Sequence, residues 1–275
     1  MTRHVCSIGP MSDHYLRRWQ LEPDGDPITT RSSDLLPVRR NGRPAMLKVA
    51  RETEERRGGL LMTWWNGDGA ALVLAHDEHA LLLERATGDR SLTTMARGGK
   101  DDEASRILRA VAARLHAPRG ALPPDLIPLP AWFADLEPAA AKHSGILAHA
   151  AAIARELLDH PREVGVLHGD LHHGNVLDFG ARGWLAIDPK CLVGERGFDF
   201  ANIFRNPDLE TAKAPGRLAR QATIIAEAAR LDRARLLHWI LACAGVSAAW
   251  ILSDGDDATR DLTVAELAAA EIAKG

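Results

Sequence analysis

Asp170, Asn175 and Asp188 stand out by type and spacing. Asp170 and Asn175 lie five residues apart in His168-Gly-Asp-Leu-His-His-Gly-Asn175, and Asp188 follows thirteen residues later in Gly183-Trp-Leu-Ala-Ile-Asp-Pro. Between them, Val176 and Leu177 are apolar, Phe179-Gly-Ala-Arg-Gly183 has turn chemistry, and Trp184 to Ile187 are apolar again. That pattern reads as a hairpin, which would return Asp188 to the side of Asn175, near Asp170. Two carboxylates and an amide converging after a His-Gly turn suit a magnesium–nucleotide site. Asp170 would accept the proton of an attacking hydroxyl, and Asn175 and Asp188 would supply the hard oxygen donors that magnesium prefers.

The elements that must position these groups start upstream. From Arg18 to Val49 the pattern favours strands: Trp19-Gln-Leu alternates, Pro23-Asp-Gly-Asp-Pro27 is a turn, and Leu35 to Val38 and Ala45 to Val49 are apolar runs joined through Asn41-Gly42, a hairpin signal. Lys48 sits inside the last run, so its charge must find a partner. Arg51 to Trp65 reads as a helix, with Glu55, Gly58, Leu61, Met62 and Trp65 at helical spacing. Glu55 leads that pattern and is the better candidate to hold Lys48; Glu54 is its competitor. Ala70 to Ala75 and Ala80 to Ala86 read as two further strands broken at Asp77-Glu78. Helices follow: one opening at Lys100-Asp-Asp-Glu103, one from His143 to Leu158, one starting at Gly197-Phe-Asp-Phe, and three over 217–230, 233–252 and 259–274. Pro118 to Pro130 is a proline-rich connection.

His168-Gly-Asp170 with Asn175, then Ile187-Asp188, resembles the catalytic and metal motifs of the aminoglycoside phosphotransferases, relatives of the protein kinases. The longer strings Arg182-Gly-Trp-Leu-Ala-Ile-Asp-Pro and Gly194-Glu-Arg-Gly-Phe-Asp-Phe-Ala-Asn-Ile-Phe are most similar to the streptomycin 6-phosphotransferase branch. The resemblance runs from about Trp19 to the C-terminal helices. It implies an α+β, protein-kinase-like fold of two lobes: a tail over 1–10, a small antiparallel-sheet lobe with one helix over 11–86, and a larger, mainly helical lobe over 87–275. It also implies ATP and Mg²⁺ in the cleft and phosphate transfer to the 6-hydroxyl of streptomycin. Lys48 would contact the nucleotide's α- and β-phosphates, and the backbone of Glu84 to Ala86 would meet the adenine edge. Asp199 would brace the catalytic turn from beneath, with His168 a structural hydrogen-bonding residue in it. No Gly-x-Gly-x-x-Gly precedes Lys48; Thr29-Thr-Arg-Ser-Ser stands there, and Ser32 and Ser33 are the candidates to hydrogen-bond a phosphate. Streptomycin carries two guanidinium groups, so carboxylates should line its pocket. Glu195, Asp254, Asp256 and Asp257 are the candidates.

Composition narrows the classes. Of 275 residues, 46% are apolar and 26% charged, ordinary for a globular chain, and a net charge of −3 gives no basic footprint for nucleic acid. Cys6, Cys191 and Cys243 make no paired spacing and read as free thiols of a reducing cytoplasm. No uninterrupted apolar run reaches the roughly 18 residues of a membrane helix, and the first ten residues lack a signal-peptide core. Met11 is an alternative start. A cytoplasmic monomer acting on a small aminoglycoside, without nucleic-acid or membrane partners, is the expectation. Three other readings compete. His168, His172 and His173 beside the aspartates could be a zinc site. An intact fold could be a nucleotide-binding scaffold without turnover. A sister kinase could act on another hydroxyl compound, as hydroxyurea phosphotransferases do.

Overall fold

A computed structural model describes residues 10–30, 32–51, 53–123 and 125–275, with the backbone alone for residues 10, 11 and 53–56. It opens with α1 (Pro10–Arg18), followed by β1 (Leu21–Pro23), β2 (Ile28–Thr29), β3 (Ser33–Arg40), β4 (Arg43–Ala50), α2 (Thr53–Trp65), β5 (Val73–His76) and β6 (Ala80–Glu84). The six strands form one antiparallel sheet in the order β1-β3-β4-β6-β5, with β2 on the free side of β3. Asn41 and Gly42 close the β3–β4 hairpin. Their φ values of 50° and 73° are the left-handed pair that matches a two-residue turn to strand twist. Trp19-Gln-Leu is not a strand. Gln20 at φ 53° ends the helical segment, Trp19 packs on Tyr15, and the strand begins only at Leu21.

The strand β4 explains its own lysine. Ala45, Leu47 and Val49 point into the apolar core of the sheet, with Leu36, Val38 and Leu82. Met46 and Lys48 share the opposite face, which looks into the cleft. Gly58, with no side chain, lets helix α2 approach the segment that follows Asp188. A Cβ there would stand 2.7 Å from the Pro189 carbonyl oxygen. Asp77 caps the β5–β6 turn, accepting hydrogen bonds from the His79 and Ala80 amides and from the Tyr15 hydroxyl at 2.9–3.0 Å.

The remainder is mainly helical: α3 (Leu92–Arg97), α4 (Asp101–Leu115), β7 (Ile127–Pro128), α5 (Leu129–Trp132), α6 (Leu136–His143), α7 (Gly145–Asp159), β8 (Val164–Leu167), β9 (Val176–Asp178), β10 (Trp184–Ala186), β11 (Leu192–Glu195), α8 (Gly197–Ala201), α9 (Leu209–Ala212), α10 (Arg217–Ala229), α11 (Arg233–Ser253) and α12 (Thr259–Ile272). The helix expected from His143 to Leu158 is α7, and Ser144 at φ 51° separates it from α6, which the sequence reading does not anticipate. Helix α11 has the length and apolarity of a membrane span, but it is the core helix, with thirteen buried residues packed among α7, α8 and α12.

Two straps join the β9–β10 hairpin to β6 and to the segment that follows it. Arg90 grips Asp178 with two hydrogen bonds of 2.6 and 3.0 Å, and the Gly88 amide donates to the Asp178 carbonyl. Arg182 bonds the Glu84 carboxylate and the Gly67 carbonyl.

Candidate functional site

The loop 168–175 leaves β8 and is fixed by three contacts. Strand β11 pairs with β8, placing Leu192 opposite Leu167. Gly169 turns at φ 83° against Leu192 and Lys190, where a Cβ would come within 2.8–2.9 Å. Asp199, wholly buried on α8, accepts the His168 amide at 2.8 Å and the Gly169 amide at 2.6 Å. Its second anchor is His116 Nε2 at 2.7 Å. Burial pushes the Asp199 carboxyl up, but the hydrogen bond and charge of His116 and the Gly169 amide hold it below the usual carboxylate range. His168 is also fully buried and kept neutral by burial. Its Nδ1 accepts from the Asp170 amide at 3.2 Å, so its Nε2 carries the hydrogen toward the Ile187 carbonyl at 2.9 Å, an assignment made from the network. The imidazole thereby ties the loop to the residue before Asp188, and its ring stacks on Trp65 of α2.

Asp170 sits in the grip of two amides. Asn175 Nδ2 donates to the Asp170 carbonyl at 2.9 Å and to Oδ2 at 3.1 Å; Asn202 Nδ2 donates to Oδ1 at 2.5 Å. With Nδ2 so engaged, Asn175 Oδ1 has no hydrogen bond among the described residues. The β9–β10 hairpin forms in register Val176↔Ala186, and the Ile187 amide donates to the Asn175 carbonyl at 2.9 Å. Asp188, left-handed at φ 64°, is thereby brought beside Asn175 and ion-pairs with Lys48 across the cleft.

Asn202 was not singled out by the sequence reading, although it stands three residues after Asp199, on the same helical face. It is held in turn by Arg205, whose buried guanidinium also bonds Ser247 and Asp261. Asn202 and Arg205 are positioning residues for Asp170.

Two cavities flank this site, one lined by Asp188 and the other by Asp170. One, of about 350 Å³, is lined by Thr30, Ser32, Ser33, Lys48, Asp188 and the linker residues Glu84 to Ala86, with apolar walls from Leu35, Met46, Leu83 and Phe179. Ser33 Oγ is buried and lacks a hydrogen-bond partner among the described residues. The Glu84 side chain turns away to the Leu72 amide and Arg182. Glu55 lies on α2, but its side chain, like that of Glu54, is outside the described residues, so the expected pairing with Lys48 is not described. The other cavity, of about 730 Å³, is lined by Asp170, His172, Asn202, Arg205, Lys190, Asp135, Trp132 and Trp250, among others.

The acids expected in this second cavity are elsewhere. Glu195 is 5% exposed and bonds Arg235, Trp239 and the Arg162 amide, holding β11 to α11. Asp254 and Asp256 are exposed and do not line it; Asp257 caps Thr259. Nor is a zinc set assembled: no three His, Cys, Asp or Glu side chains among the described residues are grouped to hold a metal. His172 Nδ1 accepts from the Gly174 amide at 3.0 Å. His173 is buried against Asp101 and Arg217, both ring nitrogens without a hydrogen bond among the described residues.

Burial, then the Arg217 charge, pushes His173 down to about 4 from 6.5. A depressed group contributes its full stability above the unfolded value and loses it as pH falls through the folded one. Urea unfolding is therefore expected to lose up to about 3 kcal/mol from this residue between pH 6.5 and 4. His173→Leu should flatten that fall; an equally steep fall in the variant would assign the acid sensitivity elsewhere.

Comparison with known proteins bears on this geometry. The family profile described as aminoglycoside/hydroxyurea antibiotic resistance kinase matches residues 18–255. A streptomycin 3''-kinase from Klebsiella pneumoniae is 56% identical over 245 residues, 87% of this chain and 92% of that protein. A streptomycin 6-kinase from Streptomyces griseus is 34% identical over 258 residues, covering 86% and 81%. Among solved structures, an aminoglycoside phosphotransferase in ternary complex with ADP and hygromycin B aligns with a TM-score of 0.67 at 14% identity, over 97% of both chains. That likeness establishes the two-lobed protein-kinase-like fold.

Proposed function

The chain belongs to the aminoglycoside/hydroxyurea antibiotic resistance kinase family, and on that premise we propose that it transfers phosphate from ATP to the streptidine 6-hydroxyl of streptomycin. The observation that carries the reaction type is Asp170 on the wall of the wider cavity, held by Asn175 and Asn202, with Lys48 and Asp188 facing each other in the narrower one. In that reading the nucleotide fills the narrower cavity. Ser32 and Ser33 lie toward its phosphates, and the Ala86 backbone toward its base. The boundary between the lobes falls after Ala86.

The donor set fits magnesium. Asp188 offers a carboxylate and Asn175 an amide oxygen without a hydrogen bond among the described residues, both hard donors. When bound, the ion would neutralise charge on the phosphates. The chain's own residues do the remainder. Lys48 orients the nucleotide. Asp170 accepts the proton of the substrate hydroxyl as its oxygen bonds to the γ-phosphorus, and the bond to the β–γ bridging oxygen breaks to release ADP. Because the donor is ATP, the setting proposed is the cytoplasm.

The 6-hydroxyl is supported by the motif resemblance and by the streptomycin 6-kinase relative. The 56% identical relative favours a second reading, the 3''-hydroxyl of the same drug. Purified protein with MgATP should phosphorylate streptomycin and dihydrostreptomycin but not kanamycin, and phosphorus–proton correlation spectra of the product should put the phosphate on streptidine. Phosphate on the methylglucosamine ring would establish the 3'' reading. Turnover of hydroxyurea alone would overturn both.

A further inference from the structure

The wider cavity must receive a cation if its substrate is streptomycin, yet most charged groups on its wall are basic: Lys190, Arg205 and Arg260. Arg205 and Arg260 are both matched by Asp261, one against each carboxylate oxygen. The stem of Lys190 runs beside Gly169, at the Asp170 end. The acids lining the cavity among the described residues are Asp170 and, on the wall formed by α5 and α11, Asp135.

Asp135 is oddly placed for a purely structural acid. It stands at the N-cap of α6 but makes no side-chain cap bond. Its Oδ2 instead accepts the Trp250 indole hydrogen at 3.0 Å, and Oδ1 has no hydrogen bond among the described residues. Trp250 and Trp132 meet edge to face, ring centroids 5.0 Å apart and planes at 79°, and both line the same cavity, partly exposed. An unspent carboxylate oxygen beside two indole rings matches a guanidinium: its planar N–H fork bonds the carboxylate while its face or edge lies on the aromatic surface.

We propose that Asp135, Trp132 and Trp250 form a guanidinium-binding subsite that sets substrate specificity; as a statement about streptomycin this rests on the function proposed above. The indole N–H aims the carboxylate, and the rings exclude water from one side of the ion. A neutral hydroxyl compound makes none of these contacts and is discriminated against in KM rather than in the chemical step.

The test is the Trp250 indole ¹H–¹⁵N resonance, assigned by its loss in Trp250→Phe, with methylguanidinium chloride as probe and urea as a neutral planar N–H donor for comparison. Methylguanidinium should shift the wild-type resonance, urea should not, and Asp135→Asn should abolish the shift. In turnover, Asp135→Asn should raise KM for streptomycin about 10- to 100-fold, as loss of a charge-assisted hydrogen bond predicts, with kcat and the KM for ATP nearly unchanged. No shift in the wild type, an equal shift with urea, or an unchanged KM in the variant would overturn the subsite. A methylguanidinium shift in a protein that does not phosphorylate streptomycin would sustain the subsite and remove the substrate assignment.

Discussion

Asp170→Asn is expected to lower kcat by on the order of a thousand-fold, the scale of losing a general base and its charge, while MgATP binding changes little. The substitution keeps volume and planarity, and the loop's anchors are elsewhere: Asp199 holds the His168 and Gly169 amides, and Gly169 packs on Leu192. What changes is the group on the wall of the wider cavity. Asn175 and Asn202 now donate to a carboxylate that bears two acceptor oxygens; an amide offers one. The measurement is single-turnover phosphate transfer beside calorimetric MgATP titration. Retained transfer would remove Asp170 from the base role. A lost nucleotide affinity would instead indicate that the substitution had disturbed the Asn175–Asp188 side of the site.

Asp199→Ala should be the most destabilising single change in the site, by about 3–5 kcal/mol, because it removes a fully buried carboxylate and leaves its three hydrogen-bond partners unpaired. His116 loses its hydrogen-bonded acid, and two amides of the catalytic loop lose their acceptor. Denaturant midpoints measure this directly. Asp199→Asn can still accept through one oxygen and should fall between the two. If Asp199→Ala unfolds within about 1 kcal/mol of wild type, waters have replaced the carboxylate and the brace is weaker than its burial implies.

Much of the site was legible because its residues are close in sequence and separated by turns that declare themselves. Asp170 to Asn175 is a single loop, and the Gly-rich turn before Trp184 announces the hairpin that returns Asp188. Lys48 was legible as an anomaly, a charge in an apolar run. What could not be read were choices made by distant partners. Glu195 sits next to the motif and looked available, but Arg235 and Trp239, some forty residues on, consume it. Asp135 has no local signal at all; it becomes interesting only once Trp250 is folded beside it. Asn202 had a signal, its three-residue offset from Asp199. The fold was legible where periodicity is long, as in α4 and α10 to α12. It was missed where one left-handed residue decides, as at Gln20, and in the two- to four-residue strands β7, β8 and β11, whose pairing with one another is non-local.

Helix α11 divides its labour by face. Cys243, Val246, Ser247 and Trp250, spaced as one stripe, border the wider cavity, while Leu237, Ile240, Leu241 and Ala244 are locked in the core. None of the stripe lines the narrower cavity. A lineage exposed to a new compound can therefore explore the shape of the acceptor pocket one codon at a time along that stripe without touching the nucleotide apparatus. The core side of the same helix sets the limit of that exploration, since any shift of the backbone to fit a bulkier ligand is charged against the stability of the whole lobe.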